Sequence, residues 1–342
     1  MGNNFNNFEE VSKSLLKEFS GRAKDVIERR FGIGSKSKRQ TLEAIGQFYK
    51  ITRERVRQIE DAALNKLRLS QSFDSLTSPL FEIFQKELEK RGGVCREDHF
   101  IAGFAHGERD KNYALFFLFL GSPFSRLSAD GSFYSRWTIN KENASKVERA
   151  VASFAESLGQ EPLTENEILD RFNRHVAASL NHTLEKSALL SWLGISKEIT
   201  VNPLGEWGLN SSLLVRPRGM RDFAYLVLKK HGSPLHFREV AKKIEDLAGR
   251  RSHVQTVHNE LIKDDRFILV GRGLYALSGW GYQPGTIKDI ITNILKNHGP
   301  LSKVELVQKA LQERHVKENT VLINLQNKTH FKRLDDGLYH LA

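Results

Sequence analysis

The chain has 342 residues, of which 39% are hydrophobic, and it carries a formal net charge of +11. This length allows about two or three average domains, or more if each domain is small. The longest apolar run covers only 114–120, whereas a membrane-spanning helix needs roughly 20 apolar residues. The N-terminus lacks the basic and apolar regions of a secretory signal. We therefore expect a cytoplasmic protein without a membrane segment.

Several kinds of chemistry are absent from the sequence. The single cysteine, Cys95, excludes an intramolecular disulfide framework and a cysteine-rich zinc site. The histidines are dispersed, and no HExxH motif, nucleophile elbow, phosphate-binding loop or pair of catalytic carboxylates occurs. The sequence therefore predicts no enzyme, no metal or other cofactor, and no small-molecule substrate.

The positive charge is concentrated at the two ends of the chain. Basic modules most often bind polyphosphate, although charge alone leaves a merely solvated basic surface as the alternative. The middle of the chain is mildly acidic, so we expect it to serve in protein contact or spacing. The net charges of five successive segments are +6 for 1–72, −1 for 73–140, −3 for 141–212, +6 for 213–282 and +3 for 283–342.

Helical periodicity dominates the start of the first segment. Apolar residues recur at helical spacing from Phe8 to Phe19, which predicts a first helix. Ser20 is placed to cap a second helix that ends at Gly32. The polar run 35–40 then predicts a basic loop.

A helix-turn-helix is predicted over residues 41–67. Thr41 and Thr52 are placed to cap its two helices, and a tight turn separates them. Gly46 has no Cβ and therefore allows the two helix axes to approach closely. The residues predicted to face inward are Leu42, Ile45 and Phe48 in the first helix, and Val56, Ile59, Ala63, Leu64 and Leu67 in the second.

Beyond residue 72 the sequence contains a weak internal repeat. Each repeat opens with an amphipathic helix and closes with two short apolar stretches around a turn. The turn glycines of the last three repeats, Gly205, Gly273 and Gly337, are 68 and 64 residues apart. One helix, a turn, two further helices and a β-hairpin describe a winged helix of about this size. Four unrelated small helical modules are the alternative.

The predicted fold is therefore mainly α. It consists of tandem helix-turn-helix and winged-helix domains with small β-hairpin wings. The first segment is the helix-turn-helix domain, and the four that follow are winged-helix domains with the boundaries given above.

The second helix of the helix-turn-helix carries a polar face at its N-terminal end. Arg53 and Arg57 share one side of the helix, as do Glu54 and Gln58. In helix-turn-helix proteins this end of the helix enters the major groove. Arginine can fork onto guanine, glutamine can read adenine, and glutamate can accept a hydrogen bond from cytosine. This face is therefore a candidate for base recognition.

The stretch FGIGSKSKRQTLEAIGQFYKITRERVRQIEDAALNKLR resembles region 4 of the sigma-70 family of bacterial RNA polymerase sigma factors. The resemblance covers roughly residues 8–70, and the block ITRERVRQIE is its most specific part. In that family this helix reads the −35 promoter element. The resemblance implies that Arg53, Glu54 and Gln58 face base edges. The predicted phosphate contacts are Thr52, Arg55, Arg57, Lys38 and Arg39.

The same resemblance implies that the domain docks on the flap of the RNA polymerase β subunit. A sigma factor also needs an upstream domain with an aromatic-rich helix that opens the −10 element. The sequence begins at the edge of region 4, so we expect that it is not a complete sigma factor. A helix-turn-helix used only for protein contact is the alternative.

Residues 221–282 resemble the HARE-type helix-turn-helix. This winged-helix-like module occurs in the delta subunit of some bacterial RNA polymerases, in some restriction enzymes and in chromatin proteins. The motifs LHFREVA, NELIKDDRF and GRGLYAL carry the resemblance, and 284–342 look like a second, more diverged copy. The resemblance implies a role in transcription or on DNA, and it leaves contact with DNA and contact with protein both open.

The HARE-like segment offers candidates for a second DNA contact. A polar helix face lies near 253–263, and an arginine stands between two glycines at the predicted hairpin tip, where a wing can meet phosphate or the minor groove. A solvated helix face and an ordinary turn are the alternatives. The candidate residues are Arg250, Arg251, Gln255, His258 and Arg272.

Together these features predict a transcription regulator associated with the nucleoid. It would read a −35-like element of double-stranded DNA in the major groove and contact RNA polymerase. One alternative is a polymerase-binding adaptor without sequence-specific DNA binding. Another is the DNA-targeting subunit of a restriction or defence system.

Overall fold

The computed structural model describes residues 8–36, 38–105, 107–180, 183–249, 251–282, 285–313 and 317–342. Within these ranges the chain is mainly helical, and its short strands pair antiparallel into small sheets. The predicted fold class, mainly α with helix-turn-helix and winged-helix architecture, is confirmed. Two compact units are distinguished: residues up to 159 with 163–200 and 207–210, and residues 160–162, 201–206 and 211–342.

The first segment forms four helices. The apolar residues predicted from Phe8 to Phe19 are all buried, and the helix that they open is followed by a short 3₁₀ turn, Leu16–Glu18. Gly32 ends the second helix in the left-handed conformation, with φ 66°. A Cβ at this position would lie 2.8 Å from the backbone nitrogen of Arg39. The helices are α1 (Phe8–Leu15), α2 (Gly21–Phe31), α3 (Leu42–Tyr49) and α4 (Arg53–Arg68).

Residues 73–212 follow with helices and short strands. The elements of 73–140 are α5 (Phe73–Lys90), β1 (Val94–Arg96), α6 (Glu97–Ala102), α7 (Glu108–Leu120), β2 (Ser125–Leu127) and β3 (Arg136–Thr138). The elements of 141–212 are α8 (Lys141–Ser157), α9 (Glu165–Leu180), α10 (Lys186–Gly194), β4 (Ile199–Val201) and β5 (Trp207–Leu209).

Residues 213–342 contain two further sets of elements. Those of 213–282 are α11 (Met220–His231), β6 (Leu235–His236), α12 (Phe237–Ala248), α13 (Val254–Lys263), β7 (Phe267–Gly271) and β8 (Leu274–Leu277), followed by a 3₁₀ turn at Ser278–Trp280. Those of 283–342 are α14 (Ile287–His298), α15 (Lys303–Glu313), α16 (Glu318–Leu325), β9 (Phe331–Arg333) and β10 (Tyr339–Leu341).

The four segments after residue 72 share one order of elements. Each has a helix, an extended stretch, two helices and a hairpin, and the extended stretch pairs with the last strand of the hairpin. The strand order is β1-β3-β2 in the first and β6-β8-β7 in the third. In the second and fourth the extended stretch is a single bridge, Leu163 to Trp207 and Leu301 to Tyr339. This is the winged-helix arrangement, repeated along the chain.

The third helix of the first winged segment is buried against the helix-turn-helix. Helix α7 contacts α1, α2 and α4. The ring of Phe116 lies 5.4 Å from that of Phe31, and the ring of Phe117 lies 5.8 Å from that of Phe8. Aromatic side chains of this size contribute strongly to a core. Segments 1–72 and 73–140 therefore share one hydrophobic core.

Polar contacts hold both halves of α7. Asn112 donates a hydrogen bond to the carbonyl of Gly32 at 3.1 Å, and the hydroxyl of Tyr113 accepts one from the backbone of Gly34 at 3.2 Å. At the other end, the guanidinium of Arg68 donates to two carbonyls of the last turn of α7, at 2.8 and 3.0 Å. These bonds satisfy terminal carbonyls that a helix leaves open. They fix α7 to both the loop after α2 and the end of α4.

The third helix of the second winged segment is also used within the chain. Helix α10 packs on β1 and on the turn before it, and three of its side chains donate hydrogen bonds to backbone carbonyls there. The bonds run from Ser187 Oγ to Lys90 at 3.0 Å, from Ser191 Oγ to Val94 at 2.8 Å and from Trp192 Nε1 to Gly92 at 3.2 Å.

Two local predictions need correction. Phe48, expected on the inner side of its helix, is 58% exposed, because α3 turns its buried side at Ile45 and Gly46 toward α4. The Arg29 guanidinium covers the Phe48 ring instead, 3.8 Å from its centroid. Ser20 occupies the N-cap position of α2, but its side chain makes no capping hydrogen bond.

Candidate nucleic-acid interface

The turn between α3 and α4 is tight and capped on both sides. The Thr41 side chain accepts a hydrogen bond from the backbone of Ala44, and the Thr52 side chain accepts one from Arg55, both at 3.1 Å. A Cβ at Gly46 would lie 2.7 Å from the carbonyl oxygen of Ile51. Both predicted caps and the close approach at Gly46 are confirmed. The turn therefore fixes the direction in which α4 leaves α3.

Lys50 ends α3 in the left-handed conformation, with φ 56°. Among the described residues it is the one non-glycine residue with positive φ. A side chain in this region costs free energy that glycine avoids. The sequence analysis did not select Lys50, although a residue that must reverse the chain after a helix is a candidate for this conformation.

The inner side of α4 anchors the helix. Val56 packs with Ile45 and Val26 in a small core. Glu60 is also buried, and its carboxylate accepts a hydrogen bond from Arg30 at 3.3 Å. Burial raises the pKa of Glu60 above its ordinary value, and the charge of Arg30 offsets only part of this effect. The sequence analysis had not noted Glu60, because its charge hid its inward position.

The outer side of α4 is polar and exposed. Arg53, Glu54 and Gln58, the three residues predicted to read bases, are all exposed near the N-terminus of the helix. The predicted phosphate contacts Arg55 and Arg57 are exposed beside them. All five side chains therefore lie on a surface that a ligand can reach.

The side chains on this face are arranged by hydrogen bonds among themselves. Arg57 binds Glu54 at 2.7 Å and Asp61 at 2.6 Å, while Arg55 donates to Oε1 of Gln58 at 3.0 Å. The hydrogen bond from Arg57 lowers the pKa of Glu54. Glu54 is therefore held as a carboxylate, the form that accepts hydrogen bonds from an amino group.

The basic loop before α3 supplies two further predicted phosphate contacts. Lys38 and Arg39 are both exposed. Arg39 also lines an open cleft of about 450 Å³ formed with α6, α7 and the loop after β2. Partial burial of its guanidinium, followed by the positive charge of Arg30, lowers the pKa of Arg39. An anion placed near Arg39 would relieve this unfavourable environment.

The candidate residues of the HARE-like segment are distributed over α13 and the hairpin. Arg251, Gln255 and Arg272 are exposed. His258 is half-buried, and its ring stacks on that of Phe237 with 4.2 Å between centroids. Gln255 donates to the side chain of Asn259 at 3.2 Å. The remaining candidate is Arg250, which lies outside the described residues.

Arg272 stands at the tip of the hairpin between β7 and β8. The next residue, Gly273, has φ 71°, and a Cβ there would lie 2.6 Å from Nε2 of His236. Glycine is therefore required at this point of the turn. The close fit fixes the base of the turn while the arginine side chain remains exposed.

Metal and membrane features were also sought in the described part of the chain. No group of three histidine, cysteine or carboxylate side chains there is placed to hold a metal ion. No helix there is long and apolar enough to cross a bilayer.

Two regions of the chain match protein-family models. Residues 15–69 match "Sigma-70, region 4", and residues 218–280 match HARE-HTH, a family described as an ASXL and "restriction endonuclease HTH domain". The first match contains α2, α3 and α4, and the second extends from α11 through the hairpin β7–β8. Both resemblances inferred from the sequence are confirmed. The two matched families are helix-turn-helix domains, and they indicate DNA binding in a transcriptional context for these regions.

Curated relatives align only with the N-terminal region. An RNA polymerase sigma factor SigA of Microcystis aeruginosa is 47% identical over 68 residues, which are 18% of this chain and 16% of that protein. The sigma factor RpoD of Neisseria gonorrhoeae is 40% identical over 74 residues, 22% of this chain and 11% of its own. RpoD of Helicobacter pylori is 48% identical over 59 residues, 17% and 9% respectively. The chain therefore spans less than a fifth of each of these sigma factors.

Proposed function

We propose that this protein is a transcription factor that binds duplex DNA through the N-terminal end of α4. One observation carries the proposal: the exposed face formed by Arg53, Glu54, Arg55, Arg57 and Gln58 stands on a helix whose opposite side is anchored in the core. A rigid helix with base-reading side chains at its N-terminus is the device that helix-turn-helix proteins insert into the major groove.

The chemistry of the face divides its side chains between two tasks. Arg53, Glu54 and Gln58 supply the donors and acceptors that match base edges. Thr52, Arg55, Arg57 and the loop residues Lys38 and Arg39 supply contacts to phosphate, which orient the protein on the duplex. The similarity of this region to sigma region 4 supports a −35-like element as the sequence that is read.

On binding, the pairs within the face must be exchanged for pairs with DNA. Arg57 can leave Glu54 for a phosphate, which frees the Glu54 carboxylate to accept from a cytosine amino group. Gln58 is similarly released when Arg55 turns toward a phosphate. Because these side chains are exposed, the exchange costs little desolvation.

We also propose that RNA polymerase is a partner, with the β-subunit flap as the docking site. The similarity to sigma region 4 supports this assignment. In this proposal the exposed residues Arg251, Gln255 and Arg272 of the HARE-like segment, with the half-buried His258 and with Arg250, add a second contact to DNA.

The division of tasks is tested by two single substitutions in the full chain. Gln58→Ala should cost roughly 1–3 kcal/mol at one base pair and relax specificity there. Arg57→Ala should weaken binding to every sequence and flatten the dependence of log K on log salt by about one unit. Fluorescence anisotropy with matched and single-mismatch duplexes measures both effects.

The outcomes separate the proposal from its competitors. An equal, sequence-independent loss in both variants would show that Gln58 does not read bases. Absence of DNA binding by folded protein that still captures RNA polymerase would favour the adaptor. DNA binding without polymerase capture, together with a nuclease partner, would favour the restriction or defence subunit.

A further inference from the structure

Helix α9 carries three basic side chains on one face. Arg171, Arg174 and His175 are spaced so that they lie side by side along the helix. With the end of α8 they line an open groove of about 480 Å³, whose other lining residues are Phe154, Ser157 and Leu158. The groove has a cationic wall, a hydroxyl group and an apolar floor.

No carboxylate lines this groove. Neither Arg171 nor Arg174 forms an ion pair with a described aspartate or glutamate, and Arg174 Nε donates instead to the backbone carbonyl of Asp170 at 3.3 Å. The charge of Arg171 is felt by Glu167, but that carboxylate is already bound by the hydroxyl and backbone nitrogen of Thr164, at 2.7 and 2.9 Å. Both guanidinium groups therefore lack a direct ionic partner among the described residues.

The cluster stands out because its surroundings are acidic. The segment 141–212 carries ten carboxylates against seven lysine and arginine residues. Like charges three and four residues apart destabilise a helix. A concentration of positive charge with no paired carboxylate therefore costs stability, and a bound anion would remove that cost.

The geometry favours phosphate as the anion. Arginine presents a planar fork that binds phosphate oxygens in pairs, and two such forks stand about one helical turn apart. His175 is oriented by Ser153, whose Oγ lies 2.8 Å from its Nε2. The volume of the groove exceeds that of one phosphate group and accommodates a nucleotide. The Leu158 side chain, which is half-buried, provides apolar surface for a sugar or base.

We propose that the groove formed by Arg171, Arg174 and His175 binds the phosphate group of a nucleotide unit. Two sources share this chemistry: the backbone of a nucleic acid and a free phosphorylated molecule. The first source would give the chain a DNA contact in a segment whose net charge argues against one. Only that source rests on the function proposed above.

Titration of the full chain with inorganic pyrophosphate tests the site without DNA. Isothermal calorimetry should detect binding to the wild type and a loss of about tenfold or more in Arg171→Gln/Arg174→Gln. Arg171→Lys/Arg174→Lys, which keeps the charge and removes the forks, should fall between them. The matched control Lys86→Gln/Lys90→Gln removes the same charge from exposed residues of α5 that do not line the groove, and it should bind like the wild type.

Three results would overturn the proposal. One is the absence of pyrophosphate binding by the wild type, and another is equal binding by the glutamine variant. The third is a lower melting temperature of the glutamine variant with unchanged binding, which would show that the arginines serve only to stabilise the fold at the end of α8.

A salt titration with a 20-base-pair duplex then identifies the source of the phosphate. If the ligand is the nucleic-acid backbone, Arg171→Gln/Arg174→Gln should reduce the slope of log K against log salt by about 0.9 for each phosphate lost. An unchanged slope in a variant that has lost pyrophosphate binding assigns the site to a free phosphorylated molecule. Because the calorimetric test needs no DNA, its result is independent of whether α4 reads DNA.

Discussion

Helices α7 and α13 occupy the same place in their segments but have opposite surroundings. Each is the third helix of a winged-helix arrangement, the one that most often enters a DNA groove in related folds. In α7 every residue from Asn112 to Leu118 is buried. In α13 only Val257 and Leu261 are buried, and the polar residues between them remain at the surface.

The contrast shows that the position of a helix in a fold does not fix its task. Helix α7 has lost its polar face and spends its surface on the helix-turn-helix of the same chain. Helix α13 keeps a polar face and a neighbouring wing with Arg272 at its tip. Helix α4 combines both situations, since its inner side is held by the core and its outer side is open.

The largest effect expected from this comparison is on stability. Phe116→Ala in α7 should lower the free energy of unfolding by about 3–5 kcal/mol, because the ring is fully buried and packs on Phe31. Ile262→Ala in α13 should change it by less than about 0.5 kcal/mol, since Ile262 is 63% exposed. Urea unfolding of the full chain measures both values, and similar costs for the two would contradict the comparison.

The second effect concerns DNA binding. Arg272→Gln, next to α13, should reduce the salt slope of duplex binding by about one unit if the wing contacts a phosphate. Arg109→Gln removes the same charge from an exposed residue of α7 that pairs with Glu9 at 2.9 Å. That variant should leave the slope unchanged. Equal changes in the two variants would mean that the wing has no specific role.

A smaller effect is expected at the turn before α4. Lys50→Gly should raise the free energy of unfolding by about 0.5–1 kcal/mol, because glycine adopts positive φ without strain. The control Gln47→Gly, in the exposed part of α3, should lower it by about 1 kcal/mol. If Lys50→Gly also destabilised the chain, the side chain of Lys50 would be making a contact worth more than the strain.

The smallest effect is a change in pH dependence at the inner side of α4. Because burial raises the pKa of Glu60 above its unfolded value of about 4.5, the folded state keeps this proton to a higher pH. The wild type should therefore lose stability relative to Glu60→Gln as the pH rises through and above 4.5. Thermal unfolding of both proteins between acid and neutral pH measures the difference. A difference that grew in favour of the wild type would reverse the assigned direction.

Local features of the helix-turn-helix could be predicted from sequence because they depend on neighbours in the chain. Thr41 and Thr52 cap their helices through bonds to residues three positions later, and Gly46 allows a close approach within the same motif. The exposed polar face of α4 follows from helical periodicity in the same way.

Features that depend on distant segments were missed. The apolar run 114–120 indicated a buried element, but sequence periodicity could not show that α1 and α2 would cover it. Phe48 was placed inside because it is apolar, and Glu60 was overlooked because it is charged. Arg29 and Arg30 of α2 decide both cases, by stacking on one ring and pairing with one carboxylate.

Selection of bound sequences from a random duplex library by the full-length protein, at physiological salt, tests the central claim most directly. The account predicts enrichment of a −35-like, TTGACA-like motif that is lost when Glu54 and Gln58 are both replaced with alanine. Enrichment that persists in this double variant, or no enrichment by folded protein, would contradict the assignment of α4 as the DNA-reading helix.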